Sequence, residues 1–158
     1  MHDMKTTMMR RAIALSAEKM RAGCGGPFGA VIVKDGQVIA EGFNQVTTAN
    51  DPTAHAEVMA IREACRKLDS FSLEGCEIYS SCEPCPMCLA AIYWARLDAL
   101  YFANTRADAA AIGFDDEALY QEVPKPWNQR SMPTEHLELP EAREIFQEWQ
   151  EKPDKIMY

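Results

Sequence analysis

The chain has 158 residues, of which 47% are hydrophobic and 25% are charged. This length and composition predict a single domain over residues 1–158 and exclude a disordered or collagen-like chain. The 16 basic and 24 acidic residues give a net charge of −8. That balance argues against a nucleic-acid partner, because neutralising phosphates requires a basic surface.

The sequence carries no recognisable targeting or membrane signal. Its first residues lead into a helical pattern instead of an apolar leader, and no run of 18 apolar residues occurs. We therefore expect a cytoplasmic protein with no membrane partner. Its six cysteines are then expected to be reduced, so that their spacing matters more than their even number.

The first predicted elements are a helix and a β-hairpin. Apolar residues recur every three or four positions over residues 4–21, which predicts a helix that ends at Gly23. Two short apolar runs, residues 30–33 and 37–40, flank an Asp-Gly turn. That arrangement is typical of two antiparallel strands joined by a tight turn.

The middle of the chain predicts an α/β domain. A helix is expected over residues 54–68, with Asp51 as its N-cap and Pro52 in its first turn. A strand, a helix and a strand follow, over residues 77–80, from Pro84 onward, and over residues 99–103. This alternation predicts three layers and at least one parallel pair of strands. The remaining expected elements are a helical piece at 117–122, a strand at 136–139 and a final helix at 141–151.

Two short motifs carry the chemistry. The first is His55-Ala56-Glu57, and the second is the Pro-Cys-x-x-Cys stretch that places Cys85 and Cys88 three residues apart. Imidazole and thiolate are preferred ligands of zinc, and the two cysteines share one face in the first turn of a helix. Three protein ligands leave the fourth position open, as catalytic zinc requires. Glu57 would then serve as the proton shuttle.

The spacing of the first motif imposes a constraint on this zinc hypothesis. His55 and Glu57 are two residues apart, which separates side chains by about 200° around a helix. They can share one site only if that site lies beyond the end of the helix or if the first turn is irregular.

A Cys-x-x-Cys pair alone could also be a redox pair, an iron–sulfur ligand pair or part of a structural zinc site. A closed structural zinc site would use Cys82 as its fourth ligand. An iron–sulfur run of the bacterial-ferredoxin type is disfavoured, because position 92, where its fourth cysteine would stand, is Ile92. The combination of His-x-Glu with Pro-Cys-x-x-Cys is typical of zinc deaminases of nucleobases, and this favours the open, catalytic site.

On these motifs the sequence resembles the cytidine deaminase superfamily and, within it, the small bacterial guanine deaminases. The resemblance covers nearly the whole chain and is weakest over residues 1–10 and 124–133. It is carried by Gly26–Val33, Glu41–Asn44, Asn50–Glu57, Ser81–Cys88, Ala91–Arg96, Gly113–Asp116 and the terminal Tyr158. The zinc motifs point to the superfamily, whereas the last three segments are those that resemble guanine deaminases.

The resemblance implies a three-layer α-β-α fold with a mixed five-stranded sheet. It also implies hydrolysis of guanine to xanthine and ammonia, with one Zn²⁺ per subunit activating water. In this scheme His55, Cys85 and Cys88 hold the zinc. Glu57 is the acid/base, and Asp116 is a second carboxylate that contacts the base and relays a proton.

Further residues are assigned to substrate binding by the same resemblance: Phe28, Asn44, Ala56, Trp94 and Tyr158. Local sequence offers simpler roles for several of them. Asn44 would suit a turn, Asp116 would suit the N-cap of a helix starting near Glu117, and Trp94 would suit the core. The resemblance further implies a homodimer that acts on a small purine base, with exchange of C-terminal segments as an additional expectation.

Three rival functions stay open at this point. The substrate could be guanosine, cytosine or a triazine such as ammeline instead of guanine. The same zinc motifs also serve deaminases that edit tRNA, DNA or RNA, although the net charge of −8 argues against this class. The third rival is a zinc-binding module without catalysis, against which Glu57 is the discriminating residue.

Overall fold

The computed structural model describes residues 2–158 and divides the chain into two compact units. The first unit extends to Asp116, and the second is Glu117–Tyr158. Within the described residues, no helix is both long enough and apolar enough to cross a membrane. The expectation that one domain covers residues 1–158 stays a prediction.

A mixed sheet forms the centre of the first unit. Its strands are β1 (Gly29–Lys34), β2 (Gln37–Phe43), β3 (Cys76–Cys82) and β4 (Ala99–Asn104), in the order β2-β1-β3-β4. The strand β1 is antiparallel to β2 and to β3, whereas β3 and β4 are parallel. The predicted hairpin and the predicted parallel pair are therefore confirmed.

Helices cover both faces of this sheet, as the three-layer prediction requires. The helices of the first unit are α1 (His2–Arg21), α2 (Val46–Ala49), α3 (Ala56–Leu68), α4 (Pro86–Trp94) and α5 (Arg106–Ala111). Those that cover the sheet are α1, α3 and α4. On one face, α1 packs Ala12 and Leu15 against Val31, Val33 and Tyr79. On the other, the alanines of α3 and Ile92 of α4 pack against Ile32 and Ile78. Successive residues of β1 thus alternate between the two layers.

Glycines let both helical layers approach the hairpin closely. A Cβ added at Gly29 would lie 2.4 Å from the carbonyl oxygen of Ala12 in α1. A Cβ added at Gly42 would lie 2.2 Å from the carbonyl oxygen of Ala56 in α3. Because such distances are far inside van der Waals contact, backbone packing at these two glycines sets the separation of the layers.

The start of α3 differs from the prediction. Asp51 does not cap the helix, since its carboxylate accepts hydrogen bonds from the Thr53 backbone N–H at 2.9 Å and hydroxyl at 2.7 Å. The N-cap is instead His55, in an extended conformation. Asp51 prefers this tight local turn, which an Asx side chain forms two residues along the chain.

The second unit contains α6 (Glu117–Glu122), a 3₁₀ turn (Trp127–Gln129) and α7 (Pro140–Glu151). Both predicted helices of this region are confirmed. The prediction of a strand at 136–139 is wrong. The sheet of the first unit has four strands instead of the expected five. The failed segment is four residues long and is followed at once by Pro140, which begins α7. Its leucines, Leu137 and Leu139, are 70% and 58% exposed, so burial adds little to favour a pleated conformation there.

Candidate metal centre

Two helix starts converge on one cluster of metal-binding side chains. His55 is the N-cap of α3 and Cys85 is the N-cap of α4, and both have extended backbones. Neither side chain caps its own helix. Their donor atoms are therefore available to a ligand at the positive ends of the two helices, where thiolates are favoured.

The donor atoms of the cluster are spaced as zinc requires. His55 Nδ1 lies 3.6 Å from Cys85 Sγ and 3.5 Å from Cys88 Sγ, and the three donors all lie within 4.8 Å of one another. Zinc bonds of about 2.0 Å to nitrogen and 2.3 Å to sulfur place N and S roughly 3.5 Å apart at a tetrahedral angle. The side chains present therefore fit a zinc ion.

The protonation of the two thiols also suits a cation. A hydrogen bond from Cys88 lowers the pKa of Cys85 to about 4, whereas the hydrogen bond to Cys85 and burial raise the pKa of Cys88. The two shifts have opposite directions, so the Cys85 thiol ionises readily and the Cys88 thiol resists ionising beside it. Both thiols ionise together only when a positive charge offsets their repulsion, as a bound metal does.

Glu57 lies beside this cluster and is 7% exposed. Burial raises the pKa of its carboxyl group, which keeps the proton to higher pH than an ordinary glutamate would. The sequence constraint on His55 and Glu57 is resolved by the helix start. His55 precedes the first turn of α3 while Glu57 lies in it, so the site lies beyond the helix end.

Cys82 does not join the grouped donors. In the part of the chain that the structure describes, the metal-binding group comprises His55, Cys85 and Cys88. The Cys82 thiol instead contacts the carbonyl oxygen of Thr105 at 3.8 Å, and burial raises its pKa to about 11. A neutral thiol turned toward a backbone carbonyl gives no support to the closed, four-ligand alternative.

Asn44 follows the end of β2 and is buried. Its side-chain oxygen accepts hydrogen bonds from the backbone N–H groups of Gly26 at 3.3 Å and Val46 at 3.2 Å. The turn role that local sequence suggested is thus present. These bonds use the side-chain oxygen of Asn44 and leave its NH₂ group to donate to a ligand.

Phe28 and Asp116 lie on different segments of the first unit. Phe28 packs partly buried against the α3 side of the sheet and contacts the ring of Phe114. Asp116 is half-buried, and burial raises the pKa of its carboxyl group, as does the nearby Cys85 thiolate. The influence of the Cys85 thiolate shows that Asp116 lies within electrostatic range of the metal-binding cluster.

The other predicted binding residues occupy different surroundings. Ala56 is fully buried in the first turn of α3. Trp94 ends α4, about 13 Å along the helix axis from Cys85, and its side chain is exposed. Tyr158 lies in the second unit, with an exposed side chain.

Comparison with known proteins identifies the family. Residues 2–104 match the model of the cytidine and deoxycytidylate deaminase zinc-binding region. The chain belongs to the cytidine and deoxycytidylate deaminase family. The matched region includes His55, Glu57, Cys85 and Cys88, so the cofactor is zinc, and the cluster accommodates one ion.

Relatives within this deaminase family include enzymes with different substrates. The guanine deaminase of Bacillus subtilis (strain 168) is 54% identical over 152 residues, which are 96% of this chain and 97% of the relative. A tRNA-specific adenosine deaminase of Aquifex aeolicus (strain VF5) is 36% identical over 80% of this chain and 81% of its own.

Solved structures of this family agree with the observed fold. The X-ray structure of guanine deaminase from Bacillus subtilis superposes with a TM-score of 0.95 at 54% identity, covering 97% of this chain and 98% of that one. The guanine deaminase from Nitrosomonas europaea has a TM-score of 0.66 at 34% identity, covering 77% of this chain and 66% of that one.

Sequence reasoning did not assign Phe114, Gly26 or Glu83 to the site. Phe114 meets Phe28 edge to face, and Gly26 donates to Asn44. The Glu83 carboxylate accepts a hydrogen bond from the Arg106 backbone N–H at 3.0 Å, which joins the loop before Cys85 to α5. All three residues lie in or beside the motifs that carried the resemblance, but a motif does not indicate which of its residues touch each other.

Proposed function

We propose that this protein is a zinc-dependent guanine deaminase, which hydrolyses guanine to xanthine and ammonia in the breakdown of purines. The observation that carries the proposal is the 54% identity to a guanine deaminase over 96% of this chain, which includes most of the second unit. The match to the tRNA-specific relative is both weaker and shorter.

His55, Cys85 and Cys88 would hold the zinc ion in this enzyme. When bound, zinc supplies the Lewis acidity that activates water for hydrolysis. The remaining steps fall to side chains. The buried Glu57 carboxylate, whose pKa is raised, can take one proton from water and deliver it to a ring nitrogen. It can then take a second proton from the hydroxyl group added to C2 and deliver it to the leaving amine, so that neutral ammonia departs.

Binding of the base is assigned to residues around the metal centre. The Asn44 amide group can donate to an acceptor on the edge of the base, while Phe28 can stack on its face. Ala56 can contribute the backbone of the first turn of α3. Asp116 can accept a hydrogen bond from the exocyclic amine. Because burial raises the pKa of its carboxyl group, it can also act as a second proton relay beside Glu57.

The function is tested by ammonia release from the zinc-loaded protein. Guanine, guanosine, cytosine, cytidine, adenine and ammeline would be supplied side by side, with a tRNA anticodon stem-loop as the macromolecular substrate. We expect rapid release from guanine only. Faster release from another small molecule would overturn the substrate assignment, and inosine formation in the stem-loop would favour the editing class of deaminase.

We also propose that the protein is a homodimer with exchanged C-terminal segments. Within the second unit, α7 exposes large apolar side chains: Phe146 is 80% exposed, and Ile145 and Trp149 are also exposed. In the first unit, Tyr93 and Trp94 are exposed at the end of α4. Apolar surface of this kind is typical of faces that a partner covers.

Mixed dimers test the exchange directly. Under this proposal Tyr158 acts at the partner's site, so Glu57→Gln and Tyr158→Ala chains are each impaired alone. Co-expressed with different tags and purified as heterodimers, they should regain up to one working site per dimer. No gain in activity over the parent variants would contradict exchange, and a monomer in sedimentation would contradict the dimer.

Cytoplasmic localisation is proposed on the chemistry of the ligands. Cys85 and Cys88 must be free thiols to bind metal, and all six cysteines are free in the structure. The cytoplasm keeps thiols reduced, which suits such a site.

A further inference from the structure

An aromatic pair joins two segments of the proposed substrate pocket. The rings of Phe28 and Phe114 meet edge to face, with centroids 4.9 Å apart and planes at 89°. Phe114 is 47% exposed, so the rest of its ring is not enclosed by a core. The edge-to-face contact with Phe28 ties this half-exposed ring to the start of β1.

Phe114 belongs to the short segment that leads to Asp116. This segment, residues 112–116, follows α5, and Gly113 reverses the chain with a φ of +99°. The N–H groups of Gly113 and Phe114 bond back to the carbonyls of Ala110 and Ala109, both at 3.0 Å. Beyond Phe114, only Asp115 separates the aromatic anchor from the carboxylate.

The other end of α5 is attached to the metal motif. The Glu83 carboxylate accepts from the Arg106 N–H at 3.0 Å, and the Glu83 N–H donates to the Asn104 carbonyl at 2.8 Å. The segment that carries Asp116 is thus held at α5 by Glu83 and beyond α5 by Phe114. Loss of the second attachment would remove the ring contact that lies two residues from Asp116.

Gly26 places the aromatic pair beside Asn44. A Cβ added at Gly26 would lie 3.2 Å from the Phe28 ring and 3.5 Å from the Phe114 ring. The N–H of the same glycine donates to the Asn44 side chain. One backbone position therefore lies beside both rings and bonds to the side chain proposed to bind the base.

We propose that Phe114 is a positioning residue, which sets the Asp116 carboxylate against the substrate by anchoring its segment on Phe28. The inference rests on the proposed function and deepens it, since it explains how a carboxylate on a surface segment is held at the reacting base. Phe114 itself need not touch the substrate. Its effect on turnover passes through Asp116.

A double-mutant cycle tests this assignment. Phe114→Ala should lower kcat for guanine roughly three- to tenfold, the range that loss of one aromatic pair supports, and should change KM less. In the Asp116→Asn background, the same change should lower kcat less than about twofold, because the two residues act as one unit. Equal factors in both backgrounds would overturn the proposal.

Matched variants separate positioning from folding. Phe114→Tyr keeps the aromatic ring and should retain most of the wild-type activity, whereas Phe114→Leu should lose activity as Phe114→Ala does. Phe71→Ala removes an exposed ring from a loop outside the site and should leave kcat unchanged. Thermal unfolding of each variant shows whether any loss follows stability instead, and a loss that tracked stability in all of them would contradict the positioning role.

The proposed function can fail separately from this inference. If wild-type protein deaminated a different small molecule, the guanine assignment would fall, and the cycle would be repeated with that substrate. If guanine were the substrate and the cycle were additive, only the role of Phe114 would fall.

Discussion

The side-chain oxygen of Asn44 accepts a hydrogen bond from the backbone N–H of Gly26, 18 residues earlier in the chain. A second bond, from the Val46 N–H, occupies the same oxygen. The amide orientation is therefore set by the protein, and the NH₂ group faces away from these backbone donors. Asn44 is therefore left to offer N–H donors to a base.

This arrangement predicts different results for two substitutions of Asn44. Asn44→Asp retains an oxygen for Gly26 and Val46, so the free energy of unfolding should stay near wild type while kcat/KM for guanine falls at least about tenfold. Asn44→Ala leaves both N–H groups unpaired and should also lower the free energy of unfolding by roughly 1–3 kcal/mol. Urea unfolding and steady-state kinetics check both. Full activity of Asn44→Asp would contradict a donor role.

Glu57→Gln should retain zinc and lose turnover. The amide has the shape of the buried carboxyl group but cannot carry a proton between water and the base, so kcat should fall at least about 100-fold. Metal content is measured by elemental analysis and kcat by ammonia release. Glu63→Gln, on an exposed turn of the same helix, is the control and should keep normal activity. Zinc-loaded Glu57→Gln with wild-type turnover would exclude Glu57 as the shuttle.

Cysteine substitutions distinguish ligands from neighbours. Cys85→Ser should release zinc to a chelator at concentrations that wild-type protein resists, and its melting temperature should become independent of added zinc. Cys82→Ser should retain one zinc per chain, because the Cys82 thiol contacts the Thr105 carbonyl and its pKa is raised to about 11. Loss of zinc from Cys82→Ser would support the alternative of a closed site with Cys82 as the fourth ligand.

The ion pair between Arg11 and Glu41 predicts a pH-dependent contribution to stability. Arg11 donates to both carboxylate oxygens of Glu41, at 2.7 and 2.9 Å, and this hydrogen bonding lowers the pKa of Glu41 below its ordinary value of 4.5. The stabilisation is therefore present above about pH 4.5 and is lost as the pH falls through the lowered pKa.

Glu41→Gln should accordingly destabilise the protein at pH 7 by no more than about 1 kcal/mol, since both side chains are partly exposed. The difference from wild type should vanish in acid. Urea unfolding at a series of pH values measures it, with Glu63→Gln as a control whose ion pair lies within a single helix. A difference that persisted unchanged into acid would show that packing, and not the ion pair, is responsible.

The metal-binding part of the site was accessible from sequence because its chemistry depends on residue type and short spacing. Cys85 and Cys88 need only a helical first turn to share a face. For His55 and Glu57, the sequence restricted the site to two geometries, and the extended N-cap at His55 selects one of them. Helical periodicity likewise predicted α1, and two apolar runs around an Asp-Gly turn predicted the hairpin. The bounds predicted for α1 and α3 were within a few residues of those observed.

Contacts between distant segments could not be predicted in this way. Nothing in either motif indicates that the Phe28 and Phe114 rings meet, because that depends on the path of residues 112–116 after α5. The helix α5 was missed because it is short and rich in alanine, and its Thr105–Asp108 capping box is the local signal that could have indicated it. The prediction of a strand at 136–139 was wrong because the sequence pattern can indicate an extended segment but not whether another strand lies beside it to pair with.

The close contact between Gly42 and the Ala56 carbonyl restricts how this enzyme can acquire new substrates. Since main-chain atoms set the spacing of β2 and α3, enlarging or trimming core side chains cannot retune the distance from the hairpin to the metal ligands. We therefore expect changes of substrate to come more readily from segments beside this frame, such as residues 24–28 and 112–116. A library built on those two segments should yield altered specificity with zinc binding intact, whereas one built on the interface of β2 and α3 should yield mostly unfolded protein.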